Sequence, residues 1–138
     1  MKKVMAFGTF DLFHKGHENY LKQAKKQGDF LIVIVARDQN VELIKGVKPT
    51  HDENERVLRV EKSGIAEKVV LGSKKNKLWI IIEEKPEILC LGYDQEVDEK
   101  ELKEKLLKDG LNCEIKRMKG YHCYKYKSSI IKKGNSFS

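Results

Sequence analysis

The sequence predicts an α/β domain: a doubly wound, five-stranded parallel sheet with a Rossmann-like order of elements. Short apolar runs, each closed by glycine or a charged residue, alternate with stretches of helical spacing in the order β-α-β-α-β-α-β-α-β. Most of these runs are apolar without alternation, the pattern of strands buried on both faces. The intervening helices are long enough to carry the chain from one parallel strand to the next.

The elements follow in order. Val4 to Gly8 is a buried strand, and from about His17 to Gln27 the residues Tyr20, Leu21 and Ala24 fall on one helical face, with Gly28 in a C-cap position. Phe30 to Ala36, β-branched through most of its length, is the strongest strand and is expected at the sheet centre. A short helix over Asn40 to Ile44 leads to a loop kept irregular by Gly46 and Pro49. Asp52 is the expected N-cap of a helix running to Lys62. Glu67 to Leu71 and Ile88 to Leu91 read as strands around a helix from Lys77 to Glu84. Asp98 to Lys108 is a helix, Asn112 to Lys116 a fifth strand, and Ser128-Ser129 opens a last short helix.

At 138 residues the chain suits one domain over residues 1–133 with a loose tail over 134–138. Its apolar runs fall well short of the roughly 20 residues of a membrane span. The first residues lack a signal-peptide core, so the chain is expected in the cytoplasm. Three cysteines without a C-x-x-C pair fit a reducing compartment. The net charge of +7 comes almost wholly from residues 111–138, which hold seven bases and one acid. That segment suits phosphorylated partners.

In a doubly wound sheet, ligands bind beyond the carboxyl ends of the strands. After the first strand stands Gly8-Thr9-Phe10-Asp11-Leu12-Phe13-His14-Lys15-Gly16-His17. Two imidazoles, a glycine at a strand end and a helix N-terminus at one spot favour an anion with several oxygens, such as a nucleoside triphosphate.

This stretch resembles the H-x-G-H nucleotidyltransferases of the cytidylyltransferase-like group, whose chains begin G-T-F-D-x-x-H-x-G-H. The resemblance implies that His14 and His17 stabilise the α-phosphate during transfer and that Gly8, Thr9, Phe10 and Gly16 line the nucleotide. Lys45 and Lys48 fall where the group neutralises phosphates, and Glu55-Arg56 matches an E-R pair. Gly92, Asp94 and Gln95 match a segment beside the nucleotide base, with Gln95 in place of the Asp or Trp usual in cytidylyltransferases. Ser128 and Ser129 resemble the helix start that grips the β- and γ-phosphates, although seven residues separate them from the Arg117-Met-Lys-Gly120 half of that signature. Asp11, Arg37, Arg56 and Arg117 are candidate acceptor or phosphate contacts. Within the group, Val33 to Asp38, Ile44 to Pro49, Leu71 to Lys77 and Leu91 to Gln95 resemble the archaeal FAD synthases. That implies transfer of AMP from ATP to FMN, Mg²⁺ on the phosphates, and a homodimer.

Alternatives stay open. A CTP-dependent glycerol-3-phosphate cytidylyltransferase would keep the same chemistry with a small phosphorylated alcohol as acceptor. Outside the enzymes, the basic tail with Tyr121, Tyr124 and Tyr126 suits stacking on single-stranded nucleic acid, against which stand only four arginines and no RNA-binding motif. A zinc site at His14 and His17 lacks a nearby cysteine. Cys123, among Lys119, His122, Lys125 and Lys127, is a candidate redox-sensitive thiol, whereas Cys90 reads as an inert core residue.

Overall fold

The computed structural model describes residues 2–73, 77–93 and 95–120. Five strands, β1 (Lys3–Gly8), β2 (Phe30–Val35), β3 (Lys68–Leu71), β4 (Ile88–Leu91) and β5 (Glu114–Arg117), form one sheet in the order β3-β2-β1-β4-β5. Every pairing is parallel, with Met5 opposite both Ile32 and Leu89. Helices α1 (Lys15–Lys25), α2 (Asp38–Lys45), α3 (Glu53–Lys62), α4 (Lys77–Glu84) and α5 (Glu99–Lys108) make the connections. Asp94, His122, Cys123, Ser128, Ser129 and the expected tail lie outside the described residues.

Side-chain alternation on the strands divides the core into two layers. Val4, Ala6, Leu31 and Val33 pack with Leu21 and Ala24 of α1 and Val60 of α3. Met5, Ile32, Ile34 and Leu89 pack on the other face with Ile81 of α4 and Leu106 of α5. The chain winds outward from β1 to β3, then returns to place β4 on the opposite side of β1. The strand order therefore reverses between β1 and β4, where doubly wound sheets open a crevice for ligands.

Two expectations are corrected. The sheet centre is β1, and β2 sits between β1 and β3. An apolar β-branched run reports burial on both faces, which every interior strand has, and the crossovers decide which one is central. Gly28 does not cap α1, whose C-cap is Lys26 in right-handed conformation. A Cβ at Gly28 would stand 2.6 Å from Val4 Cγ2 and 2.7 Å from the Lys2 carbonyl, so the glycine is needed for close approach to β1. Asp52 does cap α3, its Oδ1 accepting the Glu55 N–H at 2.8 Å. Gly46, at φ 79°, closes α2 with its N–H on the Glu42 carbonyl at 2.8 Å.

Candidate active site

Beyond Gly8 the chain folds sharply back. Phe10 and Leu12 have φ of 55° and 51°, the left-handed region that non-glycine residues seldom adopt. The turn lays the Phe10 ring over Gly8, 2.6 Å from where a Cβ would stand. Any side chain at position 8 would push that ring away, so glycine is required there. The space the sequence left open for a ligand at Gly8 is thus filled, on that side, by Phe10. The ring is buried, meets His17 edge-on at 5.5 Å and stacks on Tyr20 at 6.3 Å.

Helix α1 begins earlier than its apolar spacing indicates because His14 is its N-cap. His14 Nδ1 accepts the Gly16 N–H at 3.0 Å, and the His14 N–H donates to His17 Nδ1 at 3.2 Å. The histidine pair is a capping box made of imidazoles. The rings stack at 3.9 Å, and Phe13 stacks on His17 from 5.6 Å. Burial, then the proximity of the His14 imidazole and of the Lys45 charge, push the His17 pKa down to about 3, against a smaller opposing pull from Asp11. Burial lowers His14 as well. Both rings are therefore neutral near pH 7. With each Nδ1 occupied as an acceptor, each proton sits on Nε2, which makes each ring an N–H donor.

Asp11 ties the turn to the loop between α2 and α3. Its carboxylate accepts the Thr50 N–H at 2.7 Å and the His51 N–H at 2.9 Å. Burial acts to raise its pKa, but those two bonds and the nearby Arg56 charge outweigh burial and hold it below the usual value. Asp11 thus orients the loop that carries the exposed Lys48.

Arg56 is wholly buried and offers no surface to a phosphate. Its guanidinium donates to the His51 carbonyl at 3.0 Å, the Thr9 carbonyl at 2.8 Å and Asp38 Oδ1 at 2.7 Å. It fastens both loops to the start of α2. Arg37 donates to the Gly72 carbonyl at 2.7 Å and lies 3.5 Å from Glu53. Glu53 accepts the Asp38 N–H at 2.9 Å while its own N–H donates to Asp38 at 3.2 Å. Arg117 donates to the carbonyls of Gly92 and Gln95 at 2.8 Å each, to Val97 at 3.2 Å, and pairs with Glu99 at 2.9 Å. Three arginines expected as phosphate or acceptor contacts thus bind protein carbonyls and carboxylates.

Across the crevice, Gly92 and Gln95 stand together at the end of β4. Gln95 is 4% exposed and donates to the Phe7 carbonyl at 2.9 Å, while its Oε1 is buried and finds no hydrogen-bond partner among the described residues. A Cβ on Gly92 would touch the Gln95 side chain at 3.4 Å. Tyr20, legible in sequence only as part of an apolar face, spans the crevice: its hydroxyl accepts from Phe7 N–H at 3.1 Å and donates to the Cys90 carbonyl at 2.7 Å. Burial raises its pKa, and burial pushes the Cys90 thiol up to about 12.

On the other side of β1 lies an open, apolar cleft over the ends of β1, β2 and β3. It is lined by Phe7, Gly8, Thr9, Ile34, Val41, Ile44, Lys45 and Ile80 among others. Sequence reasoning missed this cleft because its wall is assembled from α2, α4 and three separate strand ends. Among the described residues no three His, Cys, Asp or Glu side chains cluster to hold a metal. No helix among the described residues is long and apolar enough to cross a membrane.

The chain matches the cytidylyltransferase-like family over residues 5–134. The FAD synthase of Archaeoglobus profundus is 46% identical to it over 96% of this chain and 86% of that protein. The FAD synthase of Thermoplasma volcanium is 41% identical over 96% of this chain and 93% of its own. The crystal structure of the lipopolysaccharide core biosynthesis protein from Thermoplasma volcanium superposes with a TM-score of 0.85 at 42% identity, covering 88% of this chain and 98% of that one.

Proposed function

Because the chain belongs to the cytidylyltransferase-like family, we propose that it transfers AMP from ATP to FMN, forming FAD and releasing pyrophosphate. The observation that carries this reading is the 46% identity to an FAD synthase along 96% of the chain. An oxygen of the FMN phosphate attacks the α-phosphorus of ATP, and the bond to the β-phosphate oxygen breaks.

The geometry supports a division of labour. The Nε2–H groups of His14 and His17 donate to the α-phosphoryl oxygens, where negative charge builds up in the transition state. Neutral rings with Nδ1 already engaged are donors and do not serve as general bases. The N-terminus of α1 adds its dipole at the same place. Lys45 and Lys48 neutralise phosphate charge, with Asp11 and Arg56 as positioning residues for the loop between α2 and α3. Gly8, Thr9, Phe10 and Gly16 shape the nucleotide side of the histidine turn. Gly92, Asp94 and Gln95 face the base, and Ser128 and Ser129 hold the departing pyrophosphate; these assignments rest on the family resemblance. Mg²⁺ carried by the triphosphate would supply further charge neutralisation. The enzyme works in the cytoplasm on small molecules, as a homodimer.

The family's name favours one competitor: transfer of CMP from CTP to glycerol 3-phosphate. Pyrophosphate release with Mg²⁺, crossing ATP and CTP against FMN and glycerol 3-phosphate, separates the two. The proposal expects release with ATP and FMN alone, lost in His17→Ala. Release with CTP and glycerol 3-phosphate would replace it, and silence in every combination together with tight binding of single-stranded RNA would move the chain out of the enzymes.

A further inference from the structure

We infer that Tyr20 and Gln95 are positioning residues: they tie the histidine helix and the turn after β4 to one residue, Phe7, and so fix the span that a nucleotide must bridge between its phosphates and its base. The inference rests on the proposed reaction for its choice of a nucleotide donor. What carries it is the way the sheet parts at the end of β1.

The ladder between β1 and β2 is in register as far as Gly8 and Val35, whereas that between β1 and β4 has its last pair at Ala6 and Cys90. Along an extended strand the polar groups of successive residues point alternately to the two neighbours. The Gly8 carbonyl accepts the Ala36 N–H on the β2 side at 2.9 Å, so the N–H and carbonyl of Phe7 face β4. Both are met there by side chains. The Tyr20 hydroxyl accepts the Phe7 N–H at 3.1 Å and donates to the Cys90 carbonyl at 2.7 Å. The Phe7 carbonyl, which a longer ladder would give to a backbone N–H of β4, accepts Gln95 Nε2 at 2.9 Å. Both side chains are buried. They also stand close together: burial raises the pKa of the hydroxyl, and the Phe7 N–H and the Gln95 amide pull against that rise.

Each side chain holds one half of the site. Tyr20 lies one turn after His17 on the buried face of α1, and the Phe10 ring packs on both, so fixing the hydroxyl fixes the helix end that carries the imidazoles. Gln95 belongs to a turn closed by its own N–H on the Gly92 carbonyl at 3.2 Å and pinned by Arg117 on the carbonyls of both residues. That turn moves as a unit, and the Gln95 amide sets its distance from β1. A ligand anchored at both ends gains from the connection between them only while the two anchor points keep the right separation. Beyond Ala6 that separation is held by the Tyr20 and Gln95 bonds to Phe7.

The test compares ATP with its two halves. Adenosine, tripolyphosphate with Mg²⁺ and ATP with Mg²⁺ are titrated separately by calorimetry into the wild type, Tyr20→Phe and Gln95→Met, with circular dichroism to verify that each variant is folded. Both variants are expected to bind ATP about tenfold more weakly, the loss of one buried hydrogen bond, and to bind adenosine and tripolyphosphate as the wild type does. Gly28→Ala, which disturbs packing at the opposite end of β1, lowers stability without touching the span and should leave all three affinities unchanged. If Tyr20→Phe does not fold, Gln95→Met decides. Unchanged ATP affinity in the folded variants, or adenosine or tripolyphosphate weakened as much as ATP, would overturn the inference. Should the wild type bind CTP in place of ATP, cytidine and CTP replace adenosine and ATP with the same outcomes. If the wild type makes FAD but the variants bind ATP normally, the positioning role fails while the reaction stands. If the variants weaken ATP alone but the wild type makes no FAD, the reaction fails while the positioning role stands.

Discussion

The imidazoles of His14 and His17 stack with centroids 3.9 Å apart and 22° between their planes, and each Nδ1 accepts a backbone N–H from the same turn. The backbone thereby selects the tautomer of both rings and aims two N–H donors from one helix end. Either ring alone would leave one charge-stabilising donor, so His14→Ala and His17→Ala should each lower kcat by about 10²- to 10³-fold. Steady-state kinetics on the two single variants and the double variant are the measurement. The double should lose less than the product of the singles, because each ring fixes the other.

Acid should destabilise the fold through the same pair. His17 titrates near 6.5 when unfolded and near 3 when folded, so below pH 6.5 the unfolded chain takes up a proton that the folded chain refuses. Stability is complete above that pH and falls on acidification, by up to about 1.4 kcal/mol per pH unit. The lowered His14 pKa acts with the same sign. Asp11 also acts with that sign, but its contribution, present above the usual carboxylate pKa of 3.8, disappears only as the pH falls below that value. Urea unfolding at pH 7 and pH 5 should therefore show a loss of about 2 kcal/mol in the wild type and a smaller loss in His17→Gln.

Asp11→Ala should separate binding from chemistry. Two backbone N–H groups lose a charged acceptor, which costs about 1.5–3 kcal/mol per bond at most and less where water replaces it. The released loop carries Lys48, so the KM for FMN should rise by a larger factor than kcat falls. Melting temperature and the split between KM and kcat are the readouts.

Arg56→Ala should be among the most damaging single changes away from the histidines. It strips donors from the carbonyls of Thr9 and His51 and from Asp38, at a cost of about 3 kcal/mol. Asp38 keeps partial contact with solvent, its side chain 36% exposed, which holds the cost near the low end for breaking a buried pair. Denaturant unfolding measures it. Arg56→Lys should recover only part of the loss, since one ammonium group cannot span three acceptors on separate loops.

Gly28→Ala tests a packing argument. The added methyl meets the Lys2 carbonyl and the Val4 side chain at 2.7 and 2.6 Å, so about 1–3 kcal/mol should be lost. Gly110→Ala, where φ is 84° and nothing lies within 4 Å, should lose only about 1 kcal/mol through backbone strain. Thermal unfolding of the two variants compares them.

The alternation of strands and helices, the histidine turn and the Asp52 cap were legible in sequence because each is set by a few neighbouring residues. The central place of β1 was not, since Val4 to Gly8 and Phe30 to Val35 carry the same local signal and differ only in what lies beside them. The protein partners of the arginines were hidden for a related reason. A guanidinium suits phosphate and carbonyl oxygens equally, and the partners of Arg56 at Thr9 and of Arg117 at Gly92 lie far away along the chain. The hydroxyl of Tyr20 was similarly hidden by its position on an apolar helix face. The one local clue to the brace around α2 was the acidic pair Asp38 and Glu53 beside Arg37 and Arg56.

Burial also divides the domain by how readily its parts open. The histidine turn springs from β1, whose Val4, Met5 and Ala6 have no solvent exposure, and such a strand exchanges its amide hydrogens only when the whole domain unfolds. By contrast α2, which walls the cleft, buries only Val41 among its eight residues. Its hydrogens should exchange by local opening at far lower free energy. The histidine turn is thus fixed to a part of the molecule that opens late, while the α2 wall of the cleft belongs to a part that opens early, so movement of that wall need not disturb the geometry of the two imidazoles.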